Sequence, residues 1–424
     1  MEIIYQVLPR IWGKGKFSDW DAKAFGYLKT LNISAVWYTG VIRHSTGMPW
    51  VKGNPGSPYS ISDYHDVNPY LADNPERRML EFERLVKRTH KAGLKVIIDF
   101  VPNHVAPDCK DVPVCNYHDY DWTDTLKIDY SHPDTWEKML EIALYWAGKG
   151  VDGFRCDMIE MVPLPFLKWL ISRVHRQYPG FIFIGEAYDK ANYRPIIRDA
   201  GFDLLYDKSG YYDIVRSIIC NGSSVRNLTY NWQSLQDLQP NMLNFLENHD
   251  EQRFASPFFA GDAFKAFPAM AVGALFNGAS FMVYSGQETG EKALDGAEGR
   301  TSIFNYTHLE KPGRDGLRLL DRYRELLAYT GDPVFANGAN YDLCWCNSII
   351  LGFDPEKHFA FLRYRRAPRK RKAEAALVVC NFSDSPAEMA INLPEDLRGR
   401  RELSWLPSKV RVSVSAWGYS VLHL

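Results

Sequence analysis

The sequence predicts an α/β protein, a (β/α)8 TIM barrel with a short inserted subdomain after the third strand and a C-terminal antiparallel β-sandwich. Strand-like and helix-like stretches alternate from Ile3 to about Glu288, the rhythm of a parallel sheet with crossover helices. Eight apolar runs fall along it, at 3–8, 35–38, 96–100, 153–156, 181–185, 202–206, 243–246 and 281–284. Beyond about Pro333 the rhythm changes to short β-branched or alternating runs, at 348–353, 359–364, 376–381, 388–393 and 419–424, with turn formers between them. The expected domains are therefore 1–332 for the barrel and 333–424 for the sandwich.

The crossover segments are amphipathic. In 75–92, Met79, Phe82, Leu85 and Val86 recur at helical spacing, and Gly93 supplies a left-handed stop. In 136–147 the stripe is Leu140, Ala143, Leu144 and Ala147, ended by Gly148 and Gly150. Two insertions interrupt the pattern after strands, 39–70 and 104–129, and the second is the expected subdomain over the cleft. Loops in these places build the active face of such a barrel.

Bulk properties narrow the function classes. Lys plus Arg nearly cancel Asp plus Glu, for a formal charge of −1 over 424 residues, so no global field favours nucleic acid or an anionic membrane. The basic stretch 365–372 lies between two predicted strands without interleaved aromatics and reads as a solvated hairpin tip. Met1 runs almost at once into the first strand, with no leader or long apolar span, and seven cysteines include Cys156 beside a candidate catalytic acid. These features point to a cytoplasmic protein with unpaired thiols, although Cys109 and Cys115 bracket a loop they could close or share with a metal. His104, Cys109, Cys115 and His118 do not form a zinc spacing, which argues against a metal hydrolase.

Three apolar runs each deliver one acid to a strand end: Asp157 in Gly153-Phe154-Arg155-Cys156-Asp157, Glu186 in Ile184-Gly185-Glu186, and Asp250 in Phe245-Leu246-Glu247-Asn248-His249-Asp250. Alone, any of them could cap a helix. Together on one barrel face they fit cleavage of an acetal with retention, which needs one ionised and one protonated carboxyl. Arg155, two residues before Asp157, shares its face and would keep it ionised as the nucleophile. Apolar surroundings would raise Glu186 and suit it to acid-base work, while Asp250, His249 and His104 would hold sugar hydroxyls.

The chain resembles the α-amylase family, glycoside hydrolase family 13. Asp99-Phe100-Val101-Pro102-Asn103-His104 is similar to the family's first conserved region, and the three acidic segments to its second, third and fourth. The resemblance implies Asp157 as nucleophile, Glu186 as general acid-base and Asp250 as transition-state stabiliser. It makes Arg155, His104 and His249 sugar ligands, and Tyr59, in Pro58-Tyr59-Ser60-Ile61-Ser62-Asp63-Tyr64, the tyrosine that stacks on the sugar. Asp63, Asp99 and Asn103 are expected to brace the site. Arg300 is read either as a ligand of a further sugar or as an exposed ion-pairing arginine.

Three departures from the family pattern stand out. Glu160-Met161 replaces the Lys-His of many starch-degrading relatives, whose histidine also supplies a calcium-ligating carbonyl. The insertion 104–129 is shorter than the calcium-bearing subdomain of many relatives, in which the asparagine at the position of Asn103 also ligates calcium. Asp108, Asp111 and Asp119 offer some oxygens, but calcium takes 6–8, so no metal or other cofactor is expected. Gly53-Asn54-Pro55-Gly56-Ser57-Pro58 replaces the His-Gly that often precedes the stacking tyrosine, and predicts a changed wall.

The expected activity is retaining hydrolysis of α-1,4-glucans or maltooligosaccharides. Glucan transfer, or isomerisation of the trehalose- or sucrose-forming type, uses the same residues. An inactive glucan-binding protein is a weaker alternative, because all three acids are present. Linkage, chain length and oligomeric state are left open.

Overall fold

The computed structural model describes residues 1–294, 296–306, 309, 311–366 and 372–424. Eight parallel strands close into a barrel in chain order: Ile3–Val7, Ala35–Tyr38, Lys95–Phe100, Gly153–Cys156, Ile182–Gly185, Leu204–Tyr206, Met242–Phe245 and Ser280–Tyr284. The last pairs with the first, with Ile3 opposite Phe281. These are the predicted strands, shifted by no more than two residues. Their runs are apolar throughout because the barrel interior covers one face and the helices cover the other.

The predicted helices form as Arg78–Lys91, after a short 3-10 turn at Pro75–Arg77, and as Thr135–Gly148. The loop after the third strand folds as a small subdomain in which His104–Val105 pairs antiparallel with Leu126–Lys127. All seven cysteines are free. Among the described residues no helix is long and apolar enough to cross a membrane.

The C-terminal region is a four-stranded antiparallel sheet, ordered Ala339–Asp342, His358–Arg365, Glu374–Asn381, Gly418–His423, facing a two-stranded sheet of Ala387–Asn392 and Lys409–Val414. Alternation divides its side chains: Ala360, Leu362, Leu377 and Val379 face the sandwich core, whereas Phe359, Phe361, Val378 and Cys380 face the barrel. One expected strand is corrected. Residues 348–353 contain a 3-10 turn, Ile349–Leu351, in which Gly352 adopts φ +79° and its N–H bonds back to the Ile349 carbonyl. An apolar run without a facing sheet has nothing to pair with, and Ile350 is 94% exposed. Two strands were not expected: Ala339–Asp342, which has no apolar run, and Lys409–Val414, which alternates strictly as Lys-Val-Arg-Val-Ser-Val. In the basic stretch, 367–371 lie outside the described residues.

Barrel and sandwich meet across Ala266–Leu275, a helix buried at every position. A helix apolar all round needs cover on both sides, and here barrel strands lie on one and the four-stranded sheet on the other. Phe276, just past its end, packs within 5.1 Å of Phe359 and of Phe361 and 5.2 Å from Trp232. Arg363 reaches from the sheet and donates to the carbonyl oxygens of Phe276 at 2.8 Å and Phe335 at 2.6 Å. Among the described residues it has no carboxylate partner there; carbonyls at two helix ends accept its N–H groups, and burial still lowers its pKa to about 10. Phe276→Ala is expected to cost about 3–5 kcal/mol of stability by opening a cavity between the layers. Urea unfolding curves of the two proteins check this.

Candidate active site

The carboxyl ends of the strands surround a cavity of about 400 Å³, whose lining includes Tyr59, His104, Asp157, Glu186, Tyr188 and Asp250. A groove of about 500 Å³ elsewhere, bounded by 261–264 and 311–316, includes none of Asp157, Glu186 and Asp250. Register explains the convergence. Asp99 is opposite Arg155, Arg155 is opposite Ile184, and Cys156 is opposite Gly185, so the residues after the fourth and fifth strands emerge side by side. Gly153 permits this approach, since a Cβ there would collide with the Ile182 backbone on the fifth strand.

Arg155 lies under the cavity floor with no exposed side-chain surface. Its Nη1 bonds Asp157 Oδ1 at 2.5 Å and its Nη2 lies 2.6 Å from Glu186 Oε1, though without hydrogen-bond alignment. Asp99 is 4.0 Å from Nη1. The guanidinium carbon sits 5.3–5.6 Å from the ring centroids of Trp37, Tyr59 and Tyr206, whose π faces favour a cation. A single buried cation thus compensates two acids at once.

Glu186 Oε1 accepts from the Tyr188 hydroxyl at 2.8 Å and Oε2 from the Met158 backbone N–H at 2.9 Å. Met158 turns that N–H inward by adopting left-handed φ 45°, an uncommon conformation for a residue with a side chain. Burial pushes the Glu186 carboxyl upward and the Asp157 charge adds to it, while Arg155 and the two hydrogen bonds pull the other way. Asp250, with 38% of its side chain open to the cavity, is raised well above the ordinary range by the surrounding protein and then by the Glu186 charge. Burial lifts Asp99 to about 6, although the Gly40 N–H bonds its Oδ2 at 2.8 Å.

The histidines are neutral at neutral pH. Burial lowers His104 to about 4, so its 3.9 Å approach to Asp157 Oδ2 is that of an uncharged imidazole. Burial, reinforced by Arg155, lowers His249 well below the usual range. His249 Nδ1 is 2.6 Å from Gln6 Nε2, and its Nε2 bonds the Tyr59 hydroxyl and lies 3.1 Å from Asp250 Oδ2.

Arg155 and His249, expected as sugar ligands, are buried beneath the cavity, where Arg155 faces Asp157 and Glu186 and His249 faces Gln6, Tyr59 and Asp250. They position the groups that face the cavity. Tyr59 and His104 do line it. Arg300 lies beside the site, its Nε donating to the Asp250 carbonyl at 3.1 Å and its Nη1 pairing with Glu298. Asp63 stays on the strand Ile61–Val67 and accepts the His65 N–H.

The wall above the cavity follows from the changed segment before Tyr59. Gly53, at φ +71°, presses on Phe304, whose carbonyl and side chain leave no room for a Cβ. Arg10 ties the two sides together by donating to the carbonyls of Gly56 and Ile303. Glu160, the other departure, accepts from the Tyr188 N–H at 2.8 Å, the Asp189 N–H at 3.1 Å and Asn192 Nδ2 at 2.9 Å. It thereby fixes the loop that presents Tyr188 to Glu186. Tyr188, Trp37, Tyr206 and Gln6 escaped sequence reasoning, since aromatics and glutamines occur throughout the chain and only the fold gathers these four. Tyr188, two residues past Glu186, was the one with a positional signal.

Oxygens also converge on Lys127. Its Nζ bonds Asn103 Oδ1, the Met161 carbonyl at 3.1 Å and Asp119 Oδ2 at 3.1 Å. Asp108 and Asp111 lie elsewhere, accepting from the Ser45 hydroxyl and the Tyr64 N–H. Among the described residues, the one set of His, Cys, Asp or Glu ligand atoms within 4.8 Å of each other is Asp63, His65 and Asp111, so the cysteines and His118 assemble no centre.

Residues 22–112 match the family model described as the alpha amylase catalytic domain. The chain is 24% identical over 418 residues to alpha-amylase MalA of Haloarcula japonica, covering 92% of this chain and 56% of that one. It is 27% identical over 244 residues to an alpha-1,4-glucan:maltose-1-phosphate maltosyltransferase of Cereibacter sphaeroides, covering 48% and 39%. The chain therefore spans about half the length, or less, of these relatives. The solved structure of the maltogenic alpha-amylase AmyB of Thermotoga neapolitana superposes with a TM-score of 0.73 at 25% identity, over 100% of this chain and 96% of that one.

Gly53→Ala is expected to cost about 1–3 kcal/mol, because the added methyl must displace the Phe304 wall and the backbone conformation disfavours a Cβ. Thermal and urea denaturation of the variant measure the loss.

Proposed function

We propose that the chain is a member of the α-amylase family, glycoside hydrolase family 13, and a retaining α-glycosidase acting on α-1,4-linked glucans or maltooligosaccharides. The observation that carries this reading is one buried guanidinium holding both Asp157 and Glu186 at an aromatic-lined cavity. Two carboxyls held by one guanidinium suit the separation of about 5 to 5.5 Å used in retention better than the wider gap that leaves room for an inverting water.

In the first step Glu186, whose pKa burial pushes upward, gives its proton to the glycosidic oxygen as that bond breaks. Asp157 Oδ attacks the anomeric carbon and forms a covalent glycosyl ester. In the second step the Glu186 carboxylate takes a proton from the incoming water, whose oxygen displaces Asp157 with net retention. Asp250 accepts from sugar hydroxyls most strongly as the ring flattens, and Tyr59 and Tyr188 offer faces for the ring. Arg155 stays put, its charge shared between the acids as negative charge moves from Asp157 to Glu186. The relatives named above include both an amylase and a transferase, and the fate of the glycosyl ester separates these activities.

Glu186→Gln is expected to lower kcat on maltoheptaose by about 10²–10⁴. Asp157→Asn should abolish the covalent intermediate, and an Asp157→Asn protein as active as the wild type would refute the nucleophile. NMR of the first products should show the α anomer. Longer oligomers or non-reducing disaccharides without net release of reducing ends would move the reading to transfer or isomerisation. Activity needs Glu186 protonated, so it falls as pH rises through that group's pKa. The Tyr188 hydroxyl stabilises the carboxylate form, and Tyr188→Phe is therefore expected to move the basic limb of the kcat/KM profile to higher pH.

A further inference from the structure

The site holds a cation of its own away from the reacting acids. Lys127 Nζ meets an oxygen from each of three segments: Asn103 Oδ1 after the third barrel strand, Asp119 Oδ2 in the inserted subdomain, and the Met161 carbonyl in the loop after Asp157. The contacts to Asn103 and to the Met161 carbonyl are hydrogen bonds, and the one to Asp119 is an ion pair. Asn103 Nδ2 in turn donates to Asp119 Oδ2 at 3.0 Å and lies 3.1 Å from His104 Nδ1. The Lys127 side chain is 14% exposed, and its backbone pairs with His104 across the two-stranded sheet.

The position matters because the family resemblance would place calcium ligands at Asn103 and at the carbonyl of residue 161. A calcium ion takes about 6–8 oxygens. Three are gathered here, and a positive charge already sits among them, so the residues present do not fit a divalent ion.

We propose that Lys127 is a tethered internal cation that does the bracing work of a divalent ion, making this fold independent of metal. Its charge links the loop bearing His104 to the loop bearing Asp157, and because the cation is covalently part of the chain it cannot be removed by a chelator. Lys127 is a positioning residue, acting through Asn103 and His104. The inference rests on the geometry of these loops within the site proposed above, and its main readouts need no catalysis.

Protein purified without added metal is expected to contain no stoichiometric divalent ion by elemental analysis, and to show the same melting temperature in EDTA and in calcium. In Lys127→Ala the three oxygens lose their cation. Its melting temperature is expected to fall by several degrees in EDTA and to recover partly with calcium, a response the wild type lacks. Lys127→Arg, which keeps the charge, should lose less. Chelator-sensitive melting of the wild type would overturn the proposal, as would a Lys127→Ala protein that melts like the wild type or ignores calcium. If Lys127→Ala does not fold, the wild-type metal content and chelator melts still decide. An inactive but chelator-insensitive wild type would count against the proposed glycosidase and leave the internal cation standing.

Discussion

The site depends on burying one charge. Removing a guanidinium from water is expensive, of order several kcal/mol after relaxation, and is tolerated only where partners replace the lost hydration. Arg155 finds them in Asp157, Glu186 and, more distantly, Asp99, beneath three aromatic faces. The dependence runs both ways. Without Arg155 two acids would crowd a dry floor uncompensated, and without the acids Arg155 would be an unpaired buried ion.

The surroundings avoid adding charge to that balance. His104 and His249 are held neutral by burial, so neither competes with Arg155 for the acids. Tyr59 and Gln6 occupy the nitrogens of His249, and Glu160 holds the loop that aims Tyr188 at Glu186. Under the proposed function this rigidity matters because proton transfer and attack need their groups in place before the substrate arrives. Lys127 repeats the device in the inserted subdomain, where a fixed cation gathers oxygens from three separate segments.

Much of the barrel was legible because its strands are short apolar runs with turn or helix signals on either side, and the eight runs survive in the structure nearly unshifted. The C-terminal sheets were harder. A strand buried on both faces, such as Glu374–Asn381, announces itself by composition, while Lys409–Val414, with lysine, arginine and serine on its exposed face, shows only in its alternation. The run at 348–353 misled because apolar character alone cannot show whether a partner strand exists.

The sequence alone set the order and placement of the candidate residues: three acids at strand ends, with arginine and histidines beside them. Local spacing suffices for that, since a strand sends residues two apart to one face and a barrel sends its strand ends to one side. The tertiary structure decided which of those residues meet the cavity and which hold others from below. Arg155 and His249 are hidden, Tyr188 and Glu160 join, and Lys127 takes the meeting point of three loops. These outcomes depend on distances between segments far apart in the chain, and burial, which sets the charge state of each group, is a property of the packed whole.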